Sequence, residues 1–162
     1  MQKISPFLWF DTQAEEAAQF YVSLFPNSRI TNVSHYPDGG PAPKGQVLGV
    51  SFVLDGLEVQ ALNAGPEFGF TEAISFYINA ETQEEIDDLW EKLCSDGGEP
   101  GRCGWLKDRW GLSWQVVPPL LGELLGDSDP ERAGRVMQAM MGMQKIDIAG
   151  LRAAHAGESV SS

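Results

Sequence analysis

The side chains that could act as nucleophiles or soft metal ligands are few and widely spaced. The chain contains two cysteines, Cys94 and Cys103, and two histidines, His35 and His155. The cysteines do not form a C-x-x-C pair, so their spacing excludes zinc-finger and haem-attachment motifs. Neither cysteine has a histidine close in sequence, so a Cys–His nucleophile would need a histidine from a distant segment. We therefore expect Cys103 to be a structural thiol.

Acidic side chains concentrate in one predicted helix, where they could be taken for a metal or acid–base site. They are Glu81, Glu84, Glu85, Asp87, Asp88 and Glu91. At helical spacing they spread around the face opposite an apolar stripe. The stripe consists of Ile86, Leu89, Trp90 and Leu93. This pattern is typical of a solvated helix face, so we expect these carboxylates to lie in water.

A methionine-rich stripe lies near the C-terminus, again at helical spacing. It consists of Val136, Met137, Met140 and Met141. Methionine at such spacing more often fills cores or adaptable interfaces than it binds a metal or cofactor. The stripe leaves two interpretations open, the core of its own chain or a seam between two copies. We expect a homodimer in which Val136, Met137, Met140 or Met141 contributes buried apolar area.

Glycine-rich phosphate-binding loops are absent from the sequence. No predicted strand runs into a helix through G-x-G-x-x-G, and the chain has no G-x-x-x-x-G-K-[ST]. Gly98, Gly101 and Gly104 follow a predicted helix instead, a placement that favours a flexible turn. Nucleotide binding at a helix N-terminus is therefore not predicted in its usual form.

The composition and net charge of the chain limit the kinds of partner that it can bind. The 162 residues carry a formal net charge of −12 at pH 7, and 43% of them are hydrophobic, which is enough for a substantial core. The acidic balance opposes binding to nucleic acid and to anionic membrane surfaces. No stretch of about 18 apolar residues could span a membrane. The opening residues lack a secretory signal and the cysteines are few, so we expect a cytoplasmic location.

The chain contains an internal repeat at a spacing of roughly 70 residues. In each copy an apolar strand precedes a helix whose start is marked by a threonine and, three residues later, a glutamate. The strands are residues 4–10 and 73–79, and the paired signals are Thr12 with Glu15 and Thr82 with Glu85. An amphipathic helix follows each signal and can lie on a sheet.

Three further strands are predicted after each helix. They cover residues 29–36, 47–54 and 57–62 in the first copy, and residues 102–103, 105–109 and 112–117 in the second. Asp55-Gly56 and Trp110-Gly111 are typical hairpin turns. Residues 38–43, rich in glycine and proline, are predicted to form a loop.

After Pro118-Pro119 the repeat ends and a helical appendage begins. Asp129-Pro130 predicts a helix with proline at its first position. A short final helix is expected over residues 148–154, followed by a frayed tail. We therefore expect a first module over residues 1–66, a second over 67–119, and an appendage over 120–162.

Two such modules resemble the vicinal oxygen chelate superfamily of glyoxalases, extradiol dioxygenases and bleomycin-resistance proteins. Specific strings are similar to its PhnB-like branch, often labelled 3-demethylubiquinone 3-methyltransferase-like. They are PFLWFDTQAEEAAQFYVSLFPNSRI from Pro6, LNAGPEFGFTEAISFYI from Leu62, CGWLKDRWGLSWQVVP from Cys103, and MGMQKIDIAGLRAA near the end. The resemblance implies an α+β protein whose two βαβββ modules form a cupped mixed sheet, with C-terminal helices added.

The resemblance also implies where a site should lie. Metal enzymes of the superfamily place one His, Gln or Glu ligand on each of four strands that face the cup. The matching positions here are Ser5, Gln60, Ser75 and Gln115. Because neutral hydroxyl and amide oxygens bind divalent transition metals weakly, we expect no built-in metal and no cofactor.

Strand alternation adds neighbours to these positions. The expected ligand-binding residues are Phe7, Trp9, Gln60, Ser75, Tyr77, Ser113 and Gln115. Aromatic and neutral polar side chains of this kind suit a small, partly apolar organic ligand. The expected function is therefore to bind such a ligand without a metal. The alternative is an enzyme, either a methyltransferase acting on a demethylubiquinone-like ring or a metal-assisted glyoxalase- or dioxygenase-type lyase or isomerase.

Overall fold

The computed structural model describes residues 2–158, so most of the predicted frayed tail lies outside the described residues. The chain divides into two compact units that meet in sequence between Phe70 and Thr71. Within residues 2–158, no helix combines the length and apolar character needed to cross a membrane.

The first unit is a four-stranded sheet with one helix. Its elements are β1 (Phe7–Phe10), α1 (Ala14–Leu24), β2 (Arg29–His35), β3 (Val47–Leu54) and β4 (Leu57–Asn63). The strand order is β1-β4-β3-β2, with β1 parallel to β4 and the other pairs antiparallel. The predicted strands are confirmed except that β1 starts at Phe7, which leaves Ser5 just before the strand.

Helix α1 covers one face of this sheet because its small residues allow close approach. Ala17, Ala18 and Tyr21 are fully buried. The ring centroids of Tyr21 and Phe52, on β3, are 6.3 Å apart. The predicted hairpin after β3 is confirmed, and Gly56 takes the positive φ that such a turn requires.

The predicted Thr12 cap of α1 is wrong. The helix begins at Ala14, and its N-cap residue, Gln13, makes no side-chain capping bond. Instead the backbone N–H of Ala14 donates to Oδ1 of Asn63, at 2.8 Å, in a buried hydrogen bond. Asn63 ends β4 beside the helix start, so a strand residue satisfies a donor that the helix leaves free.

The second unit repeats the arrangement. Its sheet and main helix comprise β5 (Ser75–Asn79), α2 (Gln83–Cys94), β6 (Glu99–Pro100), β7 (Trp105–Lys107) and β8 (Ser113–Val117). The strand order is β5-β8-β7-β6, with β5 parallel to β8 and the other pairs antiparallel. Two mixed four-stranded sheets with helices make the predicted α+β class correct.

The predicted strand at residues 102–103 is wrong, because the chain turns there. Cys103 has a φ of 58°, and its backbone N–H donates to the carbonyl of Met143 at 2.9 Å. The edge strand is β6 instead. Both cysteines are half-buried, and burial raises the pKa of the Cys94 thiol.

The predicted start of α2 is confirmed. Oγ1 of Thr82 accepts the backbone N–H of Glu85 at 3.1 Å. Ile86, Leu89 and Leu93 are buried, as the helical pattern predicts. Most of the acidic side chains are exposed on the other side, although half-buried Asp87 forms an ion pair with Lys145 at 2.8 Å.

A buried carboxylate fixes the turn between β7 and β8. Asp108 is 2% exposed, and its Oδ1 accepts the backbone N–H groups of Trp110 and Leu112 at 2.9 and 3.0 Å. Its Oδ2 accepts the indole N–H of Trp114 at 2.9 Å. This network explains structurally why Asp108 and Trp114 occur together in the CGWLKDRWGLSWQVVP string.

Within the described residues, the C-terminal segment forms three helices, one more than predicted. They are α3 (Pro119–Leu125), α4 (Pro130–Met141) and α5 (Ile148–Ala156). Helix α4 begins at Pro130, as predicted, and Asp129 caps it by accepting the backbone N–H of Glu131. The last helix runs two residues beyond its predicted end.

The methionine-rich stripe is split between two environments. Val136 is 0% exposed and packs in a core cluster with Val117, Leu121, Ile146 and Leu151. Of the two interpretations that the stripe left open, Val136 therefore fits the core of its own chain, which buries it. Met140 is partly buried against the same cluster, whereas Met137 and Met141 are exposed.

Candidate functional site

The first sheet has an open face opposite α1, and three expected ligand-binding residues lie on it. Phe7 on β1 pairs with Gln60 on β4, and Trp9 pairs with Leu62, so strand alternation puts all four on the same face. The indole N–H of Trp9 donates to the carbonyl of Gly65 at 3.0 Å. Phe7 remains 58% exposed, so this face offers aromatic surface to a ligand.

A cavity of about 340 Å³ lies beside Gln60 in the first unit. Ser5 and Gln60, two of the four positions matched to metal ligands, both line it, together with Arg29 and Glu58. The side-chain amide of Gln2 donates to Oγ of Ser5 at 3.3 Å. The structure therefore brings these two predicted residues to one cavity even though Ser5 precedes the strand.

The second sheet also has a face opposite its helix, and the four remaining expected residues occupy it. Ser75 pairs with Ser113, and Tyr77 pairs with Gln115, across the parallel strands β5 and β8. On the other side of β8, Trp105 pairs with Gln115 and Lys107 pairs with Ser113. The face thus holds a polar row of Ser75, Ser113 and Lys107, and a second row of Tyr77, Gln115 and Trp105.

Gln115 is the centre of the second row. Its Nε2 donates to Oγ of Ser75 at 3.0 Å. Tyr77 and Trp105 stand on either side of it, and Tyr77 is 55% exposed. A neutral hydrogen-bonding pair is therefore flanked by two aromatic side chains, the combination that orients and covers a planar organic molecule.

Ser113 has an unusual environment in the first row. It is 1% exposed, and within residues 2–158 its Oγ has no hydrogen-bond partner. It lines a cavity of about 220 Å³, together with Trp105 and Lys107. A buried hydroxyl without a partner is costly, so this atom is available to a ligand group.

An ion pair borders the same cavity. The Lys107 ammonium contacts the carboxylate of Glu72, in the segment before β5. A hydrogen bond and charge attraction from Glu72 raise the pKa of Lys107, and the corresponding bond from Lys107 lowers the pKa of Glu72. No motif in the sequence singles out Glu72, Trp105 or Lys107, although alternation along β7 would place Trp105 and Lys107 on one face.

The matched metal positions do not fit a divalent transition metal. Ser75 and Gln115 present neutral oxygens, and their hydrogen bond already joins them. Within residues 2–158, no group of three or more His, Cys, Asp or Glu side chains is arranged to hold a metal ion. Such a donor set lacks the imidazole and carboxylate ligands that these metals prefer.

The strand–helix junctions do not fit S-adenosylmethionine, the cofactor of an ordinary methyltransferase. Such a cofactor typically meets free backbone N–H groups in a glycine-rich turn. Here the N–H of Ala14 donates to Asn63, and the N–H of Glu85 donates to Thr82. Neither junction contains glycine.

Another cavity, of about 590 Å³, lies away from all these residues, beside the glycine- and proline-rich loop of the first unit. Two of the polar side chains that line it, Tyr36 and Asn63, already have hydrogen-bond partners. The hydroxyl of Tyr36 donates to the carbonyl of Asn63, and the Asn63 amide bonds Ala14 and Val47. Size alone therefore does not make this cavity the better candidate site.

The chain matches a protein-family model and a solved structure of a similar protein. Residues 2–117 match the family model described as 3-demethylubiquinone-9 3-methyltransferase. The solved PhnB protein from Bacillus cereus is 39% identical, with a TM-score of 0.67, over 72% of this chain and 99% of that one. A search of curated proteins found no significant match.

Two more distant structures share the fold. A Pseudomonas aeruginosa protein is 20% identical, with a TM-score of 0.60, over 73% of this chain and 98% of that one. The fosfomycin resistance protein FosX from Listeria monocytogenes is 19% identical, with a TM-score of 0.53, over 78% of this chain and 98% of that one. At these identities the likeness concerns the fold alone.

Proposed function

This chain belongs to the PhnB-like family described as 3-demethylubiquinone-9 3-methyltransferase, and it has the vicinal oxygen chelate fold. We propose that it binds a small planar organic ligand. The ligand lies on the open face of the second sheet and needs no built-in metal. The observation that supports this proposal is the hydrogen-bonded, neutral Ser75–Gln115 pair. The two residues stand at positions where metal enzymes of this fold have metal-binding residues. For Phe7, Trp9 and Gln60, on the first sheet, ligand binding stays a prediction from the sequence.

The unused hydrogen-bond donors and acceptor of Ser75 and Gln115 match a ligand that has both donors and acceptors. Gln115 has two amide hydrogens and an acceptor oxygen, and the bond to Ser75 uses one of the hydrogens. The second hydrogen, the acceptor oxygen and the Ser75 hydroxyl hydrogen are left for a guest. Tyr77 and Trp105 supply aromatic surface on both sides, so the ligand is partly apolar and flat.

We further propose that the protein acts as a homodimer. Met137 and Met141 are 41% and 60% exposed and lie one helical turn apart on α4. Exposed methionines at this spacing make an adaptable apolar surface that a second copy can cover.

The test compares Gln115→Leu with Gln138→Leu, an exposed control on α4. The probe is benzamide, which has one aromatic ring and an amide, and its dissociation constant is measured by ligand-observed NMR. Loss of one hydrogen bond worth about 0.5–1.5 kcal/mol weakens binding about two- to tenfold in Gln115→Leu. The control binds as the wild type does, and both melting temperatures stay near the wild-type value because Gln115 is only half-buried.

Equal benzamide affinity in Gln115→Leu and wild type would contradict the proposed site. A large loss of stability in Gln115→Leu would show that the face is ordinary core. Saturable binding of S-adenosylmethionine would favour the methyltransferase alternative instead. Ser75→Ala provides a second variant, with weaker benzamide binding expected.

A further inference from the structure

We propose that the ligand of the second sheet is a single-ring aromatic carboxylate whose oxyanion binds Lys107 and Ser113. This inference rests on the proposed function and names the class of ligand. It comes from the polar row beside Gln115, to which Lys107 adds a positive charge.

The polar row can donate several hydrogen bonds to one acceptor group. Register places Ser75, Ser113 and Lys107 side by side on three adjacent strands. The Lys107 ammonium can only donate hydrogen bonds, so it cannot accept the hydroxyl hydrogen of Ser113. The ammonium and the hydroxyl can, however, both donate to the same oxyanion. Ser113 lines the cavity in which that oxyanion would lie, and within residues 2–158 its buried Oγ has no hydrogen-bond partner.

Glu72 already places a carboxylate on this ammonium. Its side chain is 60% exposed and belongs to the segment before β5, while the Lys107 side chain is 39% exposed. Exposed ion pairs contribute little to stability, so a ligand carboxylate can displace Glu72 at low cost. Glu99 is the cross-strand neighbour of Lys107 and also attracts its charge, so Glu72 and Glu99 both compete with the ligand.

The cavity limits the ligand's size. Its volume is about 220 Å³, below the roughly 300 Å³ at which pockets for drug-sized molecules begin. Trp105 and Pro100 line it, so one wall is aromatic. A single ring with one charged group fits these dimensions and places its face toward Trp105.

The experiment titrates the full-length, ¹⁵N-labelled protein with benzoate, benzamide and benzylamine. These probes share a ring and differ in charge, being anionic, neutral and cationic. We expect shifts in the amide signals of Trp105, Lys107 and Ser113, with benzoate binding more tightly than benzamide and benzylamine the weakest.

Substitutions then separate the contributions. Glu72→Gln removes the competing carboxylate and tightens benzoate binding about two- to fivefold, the range that an exposed ion pair spans, without changing benzamide binding. Lys107→Gln removes the preference for benzoate over benzamide, and Ser113→Ala weakens that preference. Glu123→Gln, exposed on α3, is the matched control and leaves every affinity unchanged.

The outcomes distinguish this inference from the proposed function. Benzamide binding as tightly as benzoate in wild type and Glu72→Gln would overturn the carboxylate assignment while leaving the ligand site in place. Tighter binding of benzylamine would overturn it by assigning a cationic ligand to Glu72. If no probe shifts the signals of this face, the proposed function fails together with the inference.

Discussion

Replacing Asp108 by asparagine is expected to destabilise the second unit strongly. The carboxylate accepts three hydrogen bonds of 2.9–3.0 Å in a buried position, two from backbone N–H groups and one from the indole of Trp114. Asparagine has nearly the same shape but carries N–H donors on one side. If its oxygen keeps the two backbone bonds, its amide hydrogens face the indole N–H of Trp114, donor against donor.

The magnitude follows from that one mismatch. Losing a hydrogen bond to a charged group costs about 1.5–3 kcal/mol, and a buried donor left unpaired costs about 1–3 kcal/mol. Because both costs concern the same indole group, we expect a total of roughly 2–4 kcal/mol. That is a large part of the roughly 5–15 kcal/mol by which a domain is usually stable.

Urea denaturation at pH 7 measures this loss as a change in midpoint at unchanged slope. Asp38→Asn, in the exposed loop of the first unit, is the control and should change stability by less than about 0.5 kcal/mol. A loss below about 1 kcal/mol in Asp108→Asn would refute the argument that this carboxylate secures the turn.

Three further outcomes are expected. Light scattering should find a dimer, and Met137→Lys with Met141→Lys should convert it to monomer; a monomeric wild type would exclude the seam. Elemental analysis should find well under one equivalent of Zn, Ni, Fe or Mn, and added metal should not raise the melting temperature, since a metal bound to the native state would stabilise it. The Asp129 backbone and His155 side chain lower the pKa of Asp127. A lowered pKa means that ionised Asp127 stabilises the folded state. This stabilisation is present above the ordinary aspartate pKa of about 4 and is lost as pH falls through the lower pKa of the folded state. Asp127→Asn should therefore flatten the acid limb of the stability profile, and an unchanged limb would contradict the assignment.

The repeat was predictable because its signals are local. Alternation defines the strands, Thr82 with Glu85 marks the start of α2, and Asp55-Gly56 marks a hairpin. The start of α1 was not predictable in the same way, because Asn63 satisfies it from 49 residues away along the chain. Helix α3 was missed because Pro118-Pro119 suggested a break, although proline is well suited to the first turn of a helix.

The candidate site was predictable in part. Resemblance and alternation together identified Ser75, Tyr77, Ser113 and Gln115, and the register places them on one face of the second sheet. The ion pair to Glu72 depends on how an irregular segment folds back, and no periodic pattern encodes that. The burial of Val136 likewise depends on tertiary packing of the C-terminal helices, which the stripe alone left open.

The central claim is that the open face of the second sheet binds a planar organic molecule without a metal. A crystal structure of the protein soaked with benzamide tests it most directly. The account predicts density for the ring between Tyr77 and Trp105, with its amide within hydrogen-bonding distance of Gln115. Density for a metal ion at Gln115, or benzamide bound only in the cavity beside Tyr36, would contradict it.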